Sequence, residues 1–429
     1  MMSSQSKNLA EELRQRGLLH DCIPGTEELL RKETVKGYVG FDPTATSLHI
    51  GNLVPVILLR HLQQAGHIPV VLVGGATGMI GDPSGKSAER NLLSEEQLKA
   101  NVSAIRTQLE KLIDFSGINA AILVNNYDWI KPFSFLDFLR EAGKHISVNY
   151  MMAKDSVKNR LETGISFTEF SYQLIQGYDF YHLWKNHGVK LQMGGSDQWG
   201  NITTGTEFIR RKEHGEAYAL VAPLLTKPDG SKFGKSEQGN VWLDPQLTSP
   251  YKFFQFWMNI TDEEALKLIK VFSFRPLEEL DDLIARHSEA PHERVLQKTL
   301  AEDVTTWIHG RVEYEKAAEA SEILFGRGTA EQLAEFDAER ILSVFEGVPT
   351  FSLSREKLSG GMSMLTLTAE ETAIFPSKGE AKRMFQNNGV LLNKVNTPDD
   401  YLVTEKELLA GRFLLVGKGK RNFNLVVVE

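Results

Sequence analysis

Residues 48–53 read LHIGNL, and three of them suit a phosphate: an imidazole in His49, a residue without a side chain in Gly51, a carboxamide in Asn52. Four residues carry little meaning alone, so the surroundings decide. VKGYVGF (35–41) reads as a buried strand, followed by the turn DPTATS. NLVPVILLRHLQQAGH (52–67) has the length of a helix, and Pro55 fits only a helix's first turn, so the helix begins shortly before it. PVVLVGGAT (69–77) is a second buried strand. Strand, helix and strand at this spacing predict a right-handed βαβ unit in a doubly wound parallel sheet. His49 to Asn52 then lie between a strand's C-terminal end and a helix N-terminus, where free N–H groups and the helix dipole attract phosphate. Gly51 lets the backbone approach a ligand closely. A turn with a solvent-facing His is the plainer alternative, and the βαβ context weighs against it.

Gly-Lys-Ser occurs twice, in GDPSGKS (81–87) and KFGKS (232–236). A phosphate-cradling P-loop needs a further Gly five residues earlier, where Ile80 and Asp229 stand, so both fail. GGATG after the second strand also lacks the dinucleotide spacing. KPDGSKFGKS (227–236) has two lysines three apart, Lys232 and Lys235, in a Gly-containing stretch suited to closing over a charged leaving group. In SFTEFSYQLIQGYDF (166–180), Tyr172, Gln176 and Asp179 lie at i, i+4 and i+7, on one face of a helix. KLQMGGSDQWGN (190–201) gives a strand running into a Gly-rich loop.

A chain of 429 residues suggests two or three domains, and 41% hydrophobic with 24% charged residues is a globular balance. Cys22 is the single cysteine, which excludes a disulfide framework and a Cys-rich zinc site and fits a reducing cytoplasm. The first residues alternate charge and Leu like a surface helix rather than a signal peptide, and no apolar run approaches the roughly 20 residues that cross a bilayer. A net charge of −8 argues against a broadly basic nucleic-acid binder. Residues 371–429 differ, with nine Lys/Arg against seven Asp/Glu (9 − 7 = +2), and form a candidate RNA-contacting module.

In order along the chain, YVGFDPTATSLHIGNL, GGATGMIGDPSGK, NNYDW, SFTEFSYQLIQGYDF, GGSDQWGN and KFGKS resemble the class I aminoacyl-tRNA synthetases, and among them the bacterial tyrosyl branch. FPSKGEAKRMFQNNGVLLNKV is similar to the opening of an S4-type RNA-binding domain. The resemblance covers nearly the whole chain. Two positions depart from the family's pattern. KFGKS replaces Lys-Met-Ser-Lys-Ser while keeping both lysines and the hydroxyl, and Asn52 stands where the first signature has its second His. A carboxamide does not titrate but can donate a hydrogen bond, and attack of a carboxylate on ATP needs no proton transfer.

The resemblance implies an α/β fold: a doubly wound, parallel Rossmann-like sheet, then a helical domain and a small C-terminal S4-like α+β RNA-binding domain. The expected division is a catalytic domain at 1–225 with a dimer-forming insertion at about 115–190, a signature loop and helical anticodon-side domain at 226–345, a linker at 346–368 and the S4-like domain at 369–429. It implies Thr44, His49, Asn52, Lys232, Lys235 and Ser236 at the reacting phosphates, with Asp42, Gly51, Lys86, Arg90, Gly195 and Asp197 also meeting ATP. Tyrosine would be held by Tyr38, Asp82, Asn126, Tyr172, Gln176, Asp179 and Gln198, with Tyr38 and Asp179 on its phenol. The expected partners are L-tyrosine, ATP and tRNA(Tyr). A homodimer with Phe167 as a candidate interface residue, no membrane, and a cytoplasmic location are expected too. Mg²⁺ accompanies ATP, and no dedicated metal site or tightly bound cofactor is expected. The rival readings are a tryptophanyl enzyme, a catalytically silent RNA-binding relative and a general nucleotidylyltransferase. Tyr38 with Asp179, the retained His49 and loop lysines, and the C-terminal half weigh against each in turn.

Overall fold

The computed structural model describes residues 8–84, 93–161, 164–226, 230, 233–236, 239–325, 330–419 and 422–429. Two compact units emerge: Met1–Asp244 with Thr261–Leu296, and Pro245–Ile260 with Gln297–Glu429. Among the described residues no helix is long and apolar enough to cross a membrane.

The first unit is built on six strands: β1 (Asp21–Cys22), β2 (Lys36–Phe41), β3 (Ile68–Val73), β4 (Ile122–Asn125), β5 (Val189–Gly195) and β6 (Tyr218–Ala222). Their order is β1-β6-β5-β2-β3-β4. β2 to β6 pair in parallel, and the two-residue β1 adds an antiparallel edge on β6 that composition did not signal. β2 and β3 are continuous apolar runs because parallel strands are covered on both faces. The crossovers are helices α1 (Leu53–Gln64), α2 (Glu95–Leu112), α3 (Phe167–His187) and α4 (Trp199–Glu213). α1 follows a 3₁₀ turn at Ile50–Asn52, with Pro55 in its first turn, and buries Val54, Val56, Ile57, Leu58, Leu59 and Leu62.

β3 and β4 lie to one side of β2, and β5 and β6 to the other. The chain therefore leaves β2 and β5 in opposite directions, opening a crevice beyond their C-terminal ends. Residues 42–52 follow β2 there, and 196–198 follow β5.

α3 starts at Ser166, whose hydroxyl accepts from the Glu169 N–H, and stops at Gly188 in the left-handed region (φ 68°). Its first turn is tied down by a buried ion pair: Arg160 donates to both carboxylate oxygens of Glu169 at 3.0 and 2.8 Å, and to the Gly164 carbonyl at 3.2 Å. Phe135, Leu136, Val148 and Phe167, from the segment expected to form an interface, are exposed.

In the second unit, β7 (Thr350–Leu353), β8 (Val390–Leu392), β9 (Val395–Asn396), β10 (Phe413–Lys418) and β11 (Asn422–Val428) form a sheet in the order β9-β8-β10-β11-β7. Alternate residues of β10 feed two cores. Leu414 and Val416 meet Ala381 and Phe385, while Phe413 and Leu415 meet Ala320, Leu324, Ile341 and Val344. Two expected boundaries shift. The stretch 346–368, read as a linker from its Gly, Pro and Ser content, contains β7, which pairs in parallel with β11. The helical region does not stay whole, because Thr261–Leu296 groups with the first unit and Pro245–Ile260 with the second.

Replacing Arg160 by Ala strands Glu169 in the interior without its partner. We expect this to lower the stability of the first unit by about 3–5 kcal/mol, read as a fall in the urea midpoint of its unfolding transition.

Candidate active site

Beyond β2, β3 and β4 the polar side chains form one connected chain. Trp129 Nε1 donates to Asp179 Oδ1 at 2.8 Å, and Asn126 Nδ2 donates to Asp179 Oδ2 at 2.9 Å. Asn126 Nδ2 also lies 3.0 Å from Thr77 Oγ1, which in turn donates to Asp42 Oδ1 at 2.7 Å. The Tyr172 hydroxyl donates to the other Asp42 oxygen at 2.8 Å. Asn126 is itself pinned by the Ala76 N–H, 2.7 Å from its Oδ1. Gly74 is required here, since a Cβ on it would sit 2.2 Å from Asp42 Oδ1 and 2.3 Å from Thr77 Oγ1. GGATG, which fits no dinucleotide motif, is thus spaced to admit the carboxylate of Asp42, the residue after β2.

The electrostatics follow from burial. Asp179 is 1% exposed. Loss of hydration pushes its carboxyl up to about 7, while the hydrogen bonds from Asn126 and Trp129 pull it down and the nearby Asp42 charge pushes it up. Burial drives the Tyr172 hydroxyl well above its ordinary value, reinforced by the charges of Asp42, Asp82 and Asp179. Burial does the same to Tyr38, with Asp179 adding to it. The Tyr38 hydroxyl is buried yet makes no hydrogen bond among the described residues, and neither does Gln176 Oε1. Buried orphan groups are rare in native interiors, and they mark where a ligand's polar atoms fit.

A second cluster gathers on Asp82. Gln198 Nε2 donates to its Oδ2 at 2.6 Å, the Ser84 N–H to its Oδ1 at 2.9 Å, and Asn201 Nδ2 approaches at 3.4 Å. Gly195 ends β5, and Asp197 is exposed in the 3₁₀ turn after it. Thr44 is exposed too, its N–H bonded to the Asp42 carbonyl at 2.9 Å.

The third cluster joins the two signature stretches through backbone. Ile50 N–H donates to the Val241 carbonyl and Leu243 N–H to the Leu48 carbonyl, each at 2.9 Å, so His49 pairs with Trp242. Gly234 has φ 88°, and a Cβ on it would lie 3.0 Å from the Gly51 nitrogen, so glycine alone permits this approach. Phe233 packs on Phe272, ring centroids 5.6 Å apart. The Asn52 carboxamide has a further part: its Oδ1 accepts the His49 N–H at 3.0 Å, so it also caps its own turn. That fixes Nδ2 as the end available to a ligand. Lys86, Arg90 and Lys232 lie outside the described residues. Lys235 and Ser236 are placed by backbone alone, paired with Asn240 and Gly239.

Of the sequence-predicted residues, the structure joins Asn126 to Asp179, Tyr172 to Asp42 and Gln198 to Asp82, and it sets Tyr38 within reach of the Asp179 charge. Asp42, expected at ATP, also serves as the acceptor for Tyr172. Thr77 and Trp129 were missed. Trp129 lies in the quoted NNYDW, three residues past Asn126, and that spacing on one helical turn was the available signal.

Comparison with known proteins shows the family. The family model for class I tRNA synthetases (W and Y) matches residues 30–326, and that for the tyrosine–tRNA ligase SYY-like C-terminal domain matches 340–426. The chain is 58% identical over 429 residues to the tyrosine–tRNA ligase of Bacteroides fragilis, covering 98% of this chain and 100% of the relative. It is 58% identical over 423 residues to that of Cytophaga hutchinsonii, covering 98% and 99%. A C-terminally truncated mitochondrial tyrosyl-tRNA synthetase of Aspergillus nidulans superposes with a TM-score of 0.68 at 31% identity, covering 74% of this chain and 94% of its own. The tryptophanyl-tRNA synthetase of Plasmodium falciparum shares the fold, with a TM-score of 0.53 at 12% identity over 81% of this chain and 93% of its own. Architecture alone does not choose between the two amino acids, but the full-length identities do, and the chain belongs to the class I tRNA synthetases, in their tyrosine–tRNA ligase branch.

Proposed function

We propose that this ligase selects L-tyrosine through the network around Asp179 and activates it at the junction of the two signature stretches. The observation that carries the selection is the buried Tyr38 hydroxyl, without a hydrogen-bond partner among the described residues and under the influence of the Asp179 charge. A phenol would give the Tyr38 hydroxyl its partner and add a donor to Asp179, while a bare phenyl ring would leave the Tyr38 hydroxyl buried and unsatisfied. Tyr172 and Gln176 would receive the ammonium group, with Asp82 and Gln198 completing the polar lining.

In the first step, a carboxylate oxygen of tyrosine attacks the α-phosphorus and the bond to the β-phosphate breaks, giving tyrosyl-adenylate and pyrophosphate. No side chain forms a covalent bond, so rate comes from positioning and from charges placed around the departing phosphates. Thr44, His49 and Asn52 would hold them from one side, and Lys232, Lys235 and Ser236 from the other, with Lys86 and Arg90 assisting. Asp42, Gly51, Gly195 and Asp197 would flank the nucleotide. Mg²⁺ enters as counter-ion of the ATP phosphates, where it neutralises charge. In the second step, a ribose hydroxyl of the terminal adenosine of tRNA(Tyr) attacks the activated carbonyl and AMP leaves. The second unit would hold the tRNA, with Lys382 and Arg383 exposed on the helix Lys378–Gln386. The exposed apolar side chains at Phe135, Leu136, Val148 and Phe167 support a homodimer, and a cytoplasmic location fits the substrates.

ATP–pyrophosphate exchange tests the assignment directly. It should depend on tyrosine, with tryptophan and phenylalanine near background, and robust exchange with tryptophan would sink it. Asn52 gives a second test, because the Asn52→Asp side chain keeps the oxygen that accepts from His49 but has no donor for a phosphate or ribose. Adenylate formation should fall by about 1–3 kcal/mol of transition-state stabilisation in Asn52→Ala and further in Asn52→Asp, measured in single turnovers with ATP varied. An Ala variant equal to wild type at every ATP concentration would reduce Asn52 to a spacer. The third test is pH. Tyrosine binding needs the Asp179 carboxylate, so affinity should hold above about 7 and weaken as pH falls through it. Trp129→Phe removes a donor that favours the ionised form, which raises that carboxyl further. The inflection in a titration from pH 6 to 9 should therefore move to higher pH, and a shift to lower pH would contradict the assignment.

A further inference from the structure

Asp179 is held by two donors, and they are not equally well supported. Asn126 is fully buried and fixed by the Ala76 N–H. Trp129 stands half-buried on a single helical turn, Tyr127–Ile130, which by itself cannot fix the tilt of an indole. A neighbouring ring does so. The imidazole of His182 lies flat on the indole of Trp129, centroids 4.5 Å apart and planes 11° from parallel. His182 is on α3, three residues beyond Asp179, so the carboxylate and the stacking platform are neighbours along one helix face. The indole is thereby gripped twice, its N–H by Asp179 at 2.8 Å and its face by His182. Asn186 Nδ2 lies 3.2 Å from His182 Nδ1 and donates to the His182 carbonyl at 3.0 Å, which limits rotation of the imidazole.

We propose that His182 is a positioning residue for substrate selection: by stacking on Trp129 it keeps the indole N–H on Asp179, and so sets how sharply the pocket separates a phenol from a bare phenyl ring. This rests on the assignment of Asp179 to the tyrosine phenol. Burial, with His187 adding to it, holds the imidazole at about 4, so at neutral pH the stack carries no charge. What Trp129 needs from position 182 is therefore a flat ring, and a phenyl group supplies one.

The test compares exchange kinetics for tyrosine and phenylalanine in His182→Ala, His182→Phe and Asp179→Asn. His182→Ala should narrow the tyrosine preference in kcat/KM roughly tenfold, through a higher KM for tyrosine with phenylalanine unchanged. His182→Phe should restore the wild-type preference. Equal losses for both substrates in His182→Ala, or a Phe variant no better than Ala, would overturn the proposal. A second readout does not depend on activity. The Trp129 indole N–H resonance, identified by its loss in Trp129→Phe, should move in ¹⁵N-labelled His182→Ala and stay in place in His182→Phe. A resonance unmoved in His182→Ala overturns the proposal as well. Asp179→Asn separates the two levels. If it keeps the tyrosine preference, the phenol assignment fails and takes this role with it. If it abolishes the preference while His182→Ala keeps it, the role of His182 alone is wrong.

Discussion

Two carboxylates linked through one chain of hydrogen bonds organise the first unit. Asp42, partly buried, leaves the end of β2, and Asp179, fully buried, comes from the middle of α3, where a charge taken from water needs donors on its oxygens. Tyr172 and Thr77 serve one, and Asn126 and Trp129 the other. Those donors come from α3, from the turn after β3, and from the residues after β4. Satisfying two acids therefore draws four separate stretches to one end of the sheet. Position within the chain explains the rest: the crevice exists because the strand order reverses between β2 and β5, and Asp42 directly follows β2 there.

The phosphate side is assembled by another principle. Residues 48–50 and 241–243 meet through main-chain hydrogen bonds, and Gly234 comes against Gly51 because it has no side chain to interfere. Contacts of this kind fix distance without prescribing which side chains stand on the strands. That is why a carboxamide can occupy the fourth place of the first signature and a phenyl ring the second place of the later one. Asn52 even adds to the turn by accepting the His49 N–H.

Much of this was legible beforehand because it is local. Continuous apolar runs announce parallel strands, and Pro55 announces a helix start. The spacing of Tyr172, Gln176 and Asp179 on one helix announces a shared face. What stayed hidden is set by partners far away in sequence. Trp129 reads as core until the carboxylate 50 residues on is placed beside it. Thr77 becomes a relay only because Gly74 lets Asp42 in. The orientation of the Asn52 amide depends on one backbone N–H. β1 and β7 were missed because two and four residues carry too little pattern to be read without the strand they pair with.

The parallel pairing of β7 with β11 has a consequence for how the chain can be divided. Phe351 and Leu353 precede every other strand of the small sheet by nearly forty residues, yet they close its edge. A fragment begun at the composition boundary near 369 would leave the backbone groups of β11 unpaired along that side. It would also uncover part of the apolar cluster that includes Leu353 and Val428. An open, apolar strand of that kind invites pairing with another molecule, so such a fragment would tend toward self-association and proteolytic loss. The natural severance points of this chain are therefore not where its composition changes, but where no strand is left without its neighbour.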